Sequence, residues 1–134
     1  MVVVIIIGIL AAIALPSFLN QANKARQSEA KTYVGSVNRA QQAFYLEERD
    51  FAETLEELQI GIPEVTDNYE YAIGATDIDS TLFQATPAGG ATDLLAYSGG
   101  VWIGTTENGT ATTEAELCET DAPSAAPPDT CGEA

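Results

Sequence analysis

From Met1 to Leu19 the chain carries one polar side chain, Ser17, and the run MVVVIIIGILAAIAL at 1–15 carries none. As a helix, 19 residues span roughly 28 Å, close to the hydrocarbon thickness of a bilayer. The β-branched residues Val2, Val3, Val4, Ile5, Ile6 and Ile7 also suit a buried strand, but strands usually end well short of this length. The reading is a membrane-inserting helix, with Gly8 and Pro16 as soft points where a turn is weakened or a backbone donor is lost. A cleavable secretory signal is the alternative, since Ala12-Ile13-Ala14 fits a small-x-small cleavage pattern. Against it, no basic residue precedes the apolar run, and the helical pattern continues past Pro16.

That pattern extends through residues 20–49, which hold no proline and one glycine, Gly35. Ala30, Tyr33, Val34, Val37, Ala40, Ala43 and Phe44 recur at spacings of three and four, one stripe on a 3.6-residue helix. The two halves predict one helix of about 50 residues, roughly 75 Å long. A chain of 134 residues cannot enclose it, so its first half must be buried in lipid or in other subunits.

Charge divides the chain as sharply as hydropathy does. All five basic residues, Lys24, Arg26, Lys31, Arg39 and Arg49, lie within 24–49, while residues 50–134 hold 17 acids and no base. The formal net charge is −15. Three regions follow: an apolar half-helix at 1–23, an amphipathic half-helix at 24–50 and an acidic head at 51–134. The excess of acid argues against any broad nucleic-acid surface. With no histidine, Ser-His-Asp and Cys-His catalysis and His-ligated zinc are excluded. The free cations of the helix are read as a mostly solvated face, with acids on neighbouring molecules as the sharper alternative. The positive-inside rule places Lys24, Arg26 and Lys31 in the cytoplasm, whereas the cysteines suggest an oxidising compartment for the head.

In the head, residues 50–58 read as a short helix or turn packing Phe51, Leu55 and Leu58 on the long helix. Strands are expected at 69–73, 81–86, 94–98 and 101–103, with Gly99-Gly100 as a two-residue hairpin turn between the last two. Such a sheet of about four antiparallel strands buries one face on the helix. Tyr69, Tyr71, Phe83, Tyr97 and Trp102 are then sheet and core residues rather than ligand-stacking ones. Residues 104–116 are polar and poor in core formers. Asn108-Gly109-Thr110 within them is a tight turn or a glycosylation sequon. Cys118 and Cys131 enclose 12 residues, three of them proline, and a disulfide closing this loop is favoured over a redox pair, which prefers C-x-x-C spacing. No cofactor or metal site is read. Asp77-Ile78-Asp79 is taken as solvated acids, and nothing has EF-hand spacing.

The run at 2–31, VVVIIIGILAAIALPSFLNQANKARQSEAK, resembles the N-terminal region of type IV pilins, most closely those of cyanobacteria. Its specificity lies in combining the apolar run, Gly8 and Pro16 with N-x-A-x-x-S-E-A at Asn23–Ala30. The likeness continues more loosely over 38–58, and residues 59–134 carry no diagnostic motif. The resemblance implies an α+β fold: a long N-terminal helix on a small antiparallel sheet, with a C-terminal disulfide loop. It implies a prepilin with a basic leader, held in the inner membrane, then trimmed and methylated by a dedicated peptidase. Subunits next join a homo-oligomeric helical filament on the cell surface through a pilus assembly machinery. Val2, Val3, Val4, Ile5, Ile6, Ile7, Ile9, Leu10, Ile13 and Leu15 then pack in the filament core, and Gly8 and Pro16 match positions where the pilin helix loosens. The family pattern places a glutamate two positions before Met1 and leucine at Met1, so the given sequence is expected to start inside that pattern. The rival readings are a pseudopilin of type II secretion and a membrane-anchored acidic binding protein; no residue signals an enzyme.

Overall fold

The computed structural model describes residues 1–91 and 93–132, without the side chains at positions 16 and 17. Helix α1 runs Val2–Glu48, 47 residues, or about 70 Å. It stops at Arg49, which turns into the left-handed region at φ 61° and donates its N–H to the Tyr45 carbonyl at 2.8 Å. Helix α2, Leu55–Leu58, is capped by Thr54, whose hydroxyl accepts the Glu57 N–H at 3.3 Å. Four strands follow, β1 Tyr69–Thr76, β2 Ser80–Pro87, β3 Tyr97–Thr105 and β4 Ala111–Glu119, all antiparallel and in the order β1-β2-β3-β4. The α+β pilin-like architecture expected from the sequence is the one observed.

The core lies between the second half of α1 and the inner face of the sheet. Ala30, Val34 and Val37 pack with Leu55, Tyr69, Tyr71, Phe83, Ala85 and Tyr97. The Tyr71 and Phe83 rings lie nearly parallel with centroids 6.0 Å apart, and Tyr33 tilts on Tyr71 at 5.1 Å. The helix stripe is narrower in fact than in sequence: Tyr33, Ala40 and Phe44 are half-buried and Ala43 is exposed. Two amides join the buried face instead. Gln41 forms a two-way clamp with Ala52, its Nε2 donating to the carbonyl and its Oε1 accepting the N–H, each at 2.9 Å. Asn38 Nδ2 donates to the Glu116 carbonyl at 3.1 Å.

The expected hairpin at Gly99-Gly100 is not there. β3 runs straight through both glycines, and Leu94 lies outside it. The fourth strand is β4, in the polar stretch that the sequence reading left without core, and the turn before it is centred on Asn108-Gly109, with Gly109 at φ 77°. Gly99 and Gly100 are small because both faces of β3 are crowded, not because the chain reverses. A Cβ on Gly99 would run into Asn38 Oδ1 and lie 2.6 Å from Val34 Cγ1, and one on Gly100 would strike the Cys131 carbonyl. Gly99→Ala therefore forces α1 off the sheet, with an expected loss of about 1–3 kcal/mol by urea unfolding. Gly35→Ala, whose nearest neighbour is Arg39 Nη1 at 3.9 Å, instead gains up to about 1 kcal/mol from helix propensity.

The outer face of the sheet is roofed by the C-terminal arm, residues 120–132. Ser98 Oγ and Gln84 Nε2 both donate to the Pro128 carbonyl, and the Trp102 ring lies against Gly132. Trp102 is thus a half-buried outer-face residue rather than part of the inner core. The arm is why residues 97–101 of β3 are buried on both sides.

Candidate functional site

Among the described residues, 1–15 and 18–21 are all exposed. Val2, Val3, Val4, Ile5, Ile6, Ile7, Ile9, Leu10, Ile13 and Leu15 are each 51–71% exposed and occupy every side of the helix. An 18-residue window there has mean hydropathy 2.9 and none of it is buried, which makes α1 long and apolar enough to cross a membrane. A helix apolar all round belongs inside lipid or inside a bundle. Gly8 has open space around it, and the loosening expected at Pro16 falls on a side chain outside the described residues.

Cys118 on β4 and Cys131 on the arm are bonded, Cα to Cα 5.7 Å, with Cys131 buried. Glu116 lies beside them, yet a disulfide sulfur is not a thiolate ligand, so the group offers no metal chemistry. The bond fastens the roof to the edge strand. Two helix amides occupy backbone acceptors of the same strand, Asn38 at Glu116 and Gln42 at Thr113 (3.3 Å). These amides were missed by a reading that followed apolar spacing, although 38, 41 and 42 continue the helical stripe.

Electrostatically the head is acidic and its tyrosines are neutral. Glu29 of α1 accepts the Tyr71 hydroxyl at 3.2 Å and the Thr66 hydroxyl at 3.1 Å. Burial first, and then the Glu29 charge, push the Tyr71 hydroxyl above the ordinary tyrosine range. Burial likewise raises Tyr69, and burial followed by the Glu119 charge pushes Tyr97 up to about 12. The unfolded chain releases these protons near pH 10, before the folded chain does, so deprotonation favours unfolding as pH rises. Near-ultraviolet circular dichroism is expected to hold up to about pH 10 and to collapse between there and about pH 12.

The architecture is thus a bare apolar half-helix fused to a small disulfide-pinned head. The comparisons name its kind. The family described as type IV pilin-like G and H matches residues 27–134. The chain is also 40% identical over 75 residues to the type IV major pilin protein PilA of Myxococcus xanthus, covering 56% of this chain and 34% of that relative. It thus spans about a third of the length of the curated relative it matches. No solved structure matches. The chain belongs to the type IV pilin-like G and H family.

Proposed function

We propose that the chain is a structural subunit that polymerises into a type IV pilus filament on the cell surface. The observation that carries this is the apolar half of α1, a span of bilayer length with no buried residue among those described. Residues 1–23 supply the filament core, with the ten aliphatic residues from Val2 to Leu15 packed against those of other copies. Gly8 and Pro16 let the helix loosen there. Residues 24–50 connect this core to the head, residues 51–134, which forms an acidic outer surface. Before assembly the same residues 1–23 rest in the inner membrane. Each Val, Ile or Leu buried contributes on the order of 1.5–3 kcal/mol relative to water. Lipid offers similar contacts, so close helix packing and charge must favour the filament over the membrane.

Cell fractionation tests this reading. The chain is expected in two places: a membrane fraction released only by detergent, and a sedimenting fraction released by shear. Recovery solely in a detergent-free soluble extract contradicts it.

A further inference from the structure

The two edges of the sheet are finished differently. β4 carries Glu114, Glu116 and Glu119, and the amides of Asn38 and Gln42 occupy its Glu116 and Thr113 carbonyls. Charges on an edge strand deter pairing with a foreign chain. β1 is covered only at its start, by the chain that leads into it. Tyr71 donates its N–H to the Glu64 carbonyl at 2.7 Å, Thr66 donates to the Tyr69 carbonyl at 2.9 Å, and Val65 bridges Glu70. Continued, that register sets Pro63 opposite Ala72, and a proline has no N–H to give. Among the described residues, the backbone of 72–76 has no hydrogen-bond partner outside β2. This stretch, AIGAT, is uncharged, and each residue is exposed or half-buried. Two hollows open on the same edge, one on each face of the sheet. On the α2 side, one of ≈ 220 Å³ is lined by Leu55, Tyr71 and Ile73 with Glu53 and Glu64. On the side of the C-terminal arm, one of ≈ 300 Å³ is lined by Ala75, Thr76 and Leu82 with Asp77 and Asp129. All four carboxylates are exposed, and among the described residues none has a base within 4 Å.

We propose that the free edge at 72–76 takes an extended segment of a different protein as an added strand, with Lys or Arg side chains reaching both hollows. In pairing of this kind main-chain bonds supply affinity, and side chains on alternate faces enter pockets that supply specificity. Two bases three positions apart in an extended segment point to opposite faces and lie roughly 10 Å apart along it, the offset between Ile73 and Thr76. The residues between them are β-branched, as an exposed sheet edge favours. The segment does not come from another copy. All five bases of this chain lie within 24–49, in α1 or at its cap, and no strand holds one. Two copies meeting edge to edge would also set carboxylate against carboxylate. The register of β1 with β2 shifts between Ile73 and Thr76, a bulge that sharpens the local twist. It confines the added strand to a few residues, so the acids on either side carry much of the selection and speed the encounter with a basic partner. The contact goes beyond the filament reading and does not depend on it.

Peptide binding to the full chain, extracted in detergent, tests the edge. The probe is a short fluorescent peptide of Val and Thr with two lysines three positions apart, read by anisotropy. It is expected to bind, and the same peptide with Glu in place of Lys to bind at least about tenfold more weakly. Methylating alternate backbone nitrogens of the peptide separates strand addition from charge alone, since one set of N–H groups faces β1 and the other faces away. One methylated set is expected to lose about tenfold or more in affinity and the other to stay within about twofold. Amide hydrogen exchange is expected to slow at 72–76 on binding and to stay unchanged along β4. Glu64→Gln with Asp77→Asn, both at exposed positions, is expected to weaken binding about tenfold while near-ultraviolet circular dichroism stays native. Absence of binding at millimolar peptide overturns the proposal, as does an equal effect of the two methylated sets or protection along β4 instead. Slowed exchange at 72–76 without peptide that fades on dilution would assign the edge to a second copy and overturn the choice of a foreign partner.

Discussion

Replacing Cys118 and Cys131 together by alanine lowers the melting temperature of the head by about 10–20 °C. The bond closes a 12-residue loop, and the loop-entropy estimate for that length is about 3 kcal/mol. For a head of this size, each kilocalorie shifts the midpoint by roughly 4–8 °C. The structure adds a reason to expect the full effect. The arm is otherwise held by few contacts: the Pro128 carbonyl shared by Ser98 and Gln84, the Ser124 N–H to the Leu94 carbonyl at 3.1 Å, and the Thr120 N–H to the Ala96 carbonyl at 3.1 Å. Once freed, it uncovers the outer face of β3. Trp102, the single tryptophan, lies under the arm, so its emission moves to longer wavelength in the same sample. A melt and an emission spectrum unchanged from the native chain would show that the arm stays in place without its bond.

Ile6→Lys abolishes fibres while leaving the head intact. Residue 6 lies within the unbroken apolar run at 1–15, and a lysine at the centre of an apolar span costs about 2.5–3.5 kcal/mol. Every subunit added to a filament brings a penalty of this order, equivalent to roughly 60- to 400-fold in each addition constant. Ile6 touches no part of the head, so near-ultraviolet circular dichroism and the melting temperature of the extracted protein stay as they were. Ile6→Leu, which keeps volume and polarity, retains fibres. Wild-type fibre yield from Ile6→Lys contradicts a core built from residues 1–23.

How legible all this is in the sequence depends on the range of the forces involved. The long helix, the bare first half and the inner aromatic core follow from local periodicity, and each was readable. The disulfide was readable because a proline-rich loop between two cysteines leaves little else to close it. β3 and β4 were not. Gly99-Gly100 looks like a turn when only the neighbouring residues are considered. Its true cause is long-range, the approach of Val34 and Asn38 from one side and of the Cys131 backbone from the other. β4 is an edge strand with little to bury, so its signal is the alternation of Glu114 and Glu116 after an Asn-Gly turn rather than hydrophobicity. The same limit hid Asn38, Gln41 and Gln42. A buried amide is identified by the backbone group it meets, and those groups lie 11 to 78 residues away. The tyrosines were placed correctly, but the shift in their ionisation needs Glu29 and Glu119 brought alongside by the fold.

The most direct measurement is electron microscopy of fibres sheared from native cells, with peptide mass spectrometry on the same preparation. Thin fibres whose dominant peptides come from residues 50–134 are the expected result. Fibres lacking this chain, with its peptides confined to the membrane, would contradict its assignment as a filament subunit.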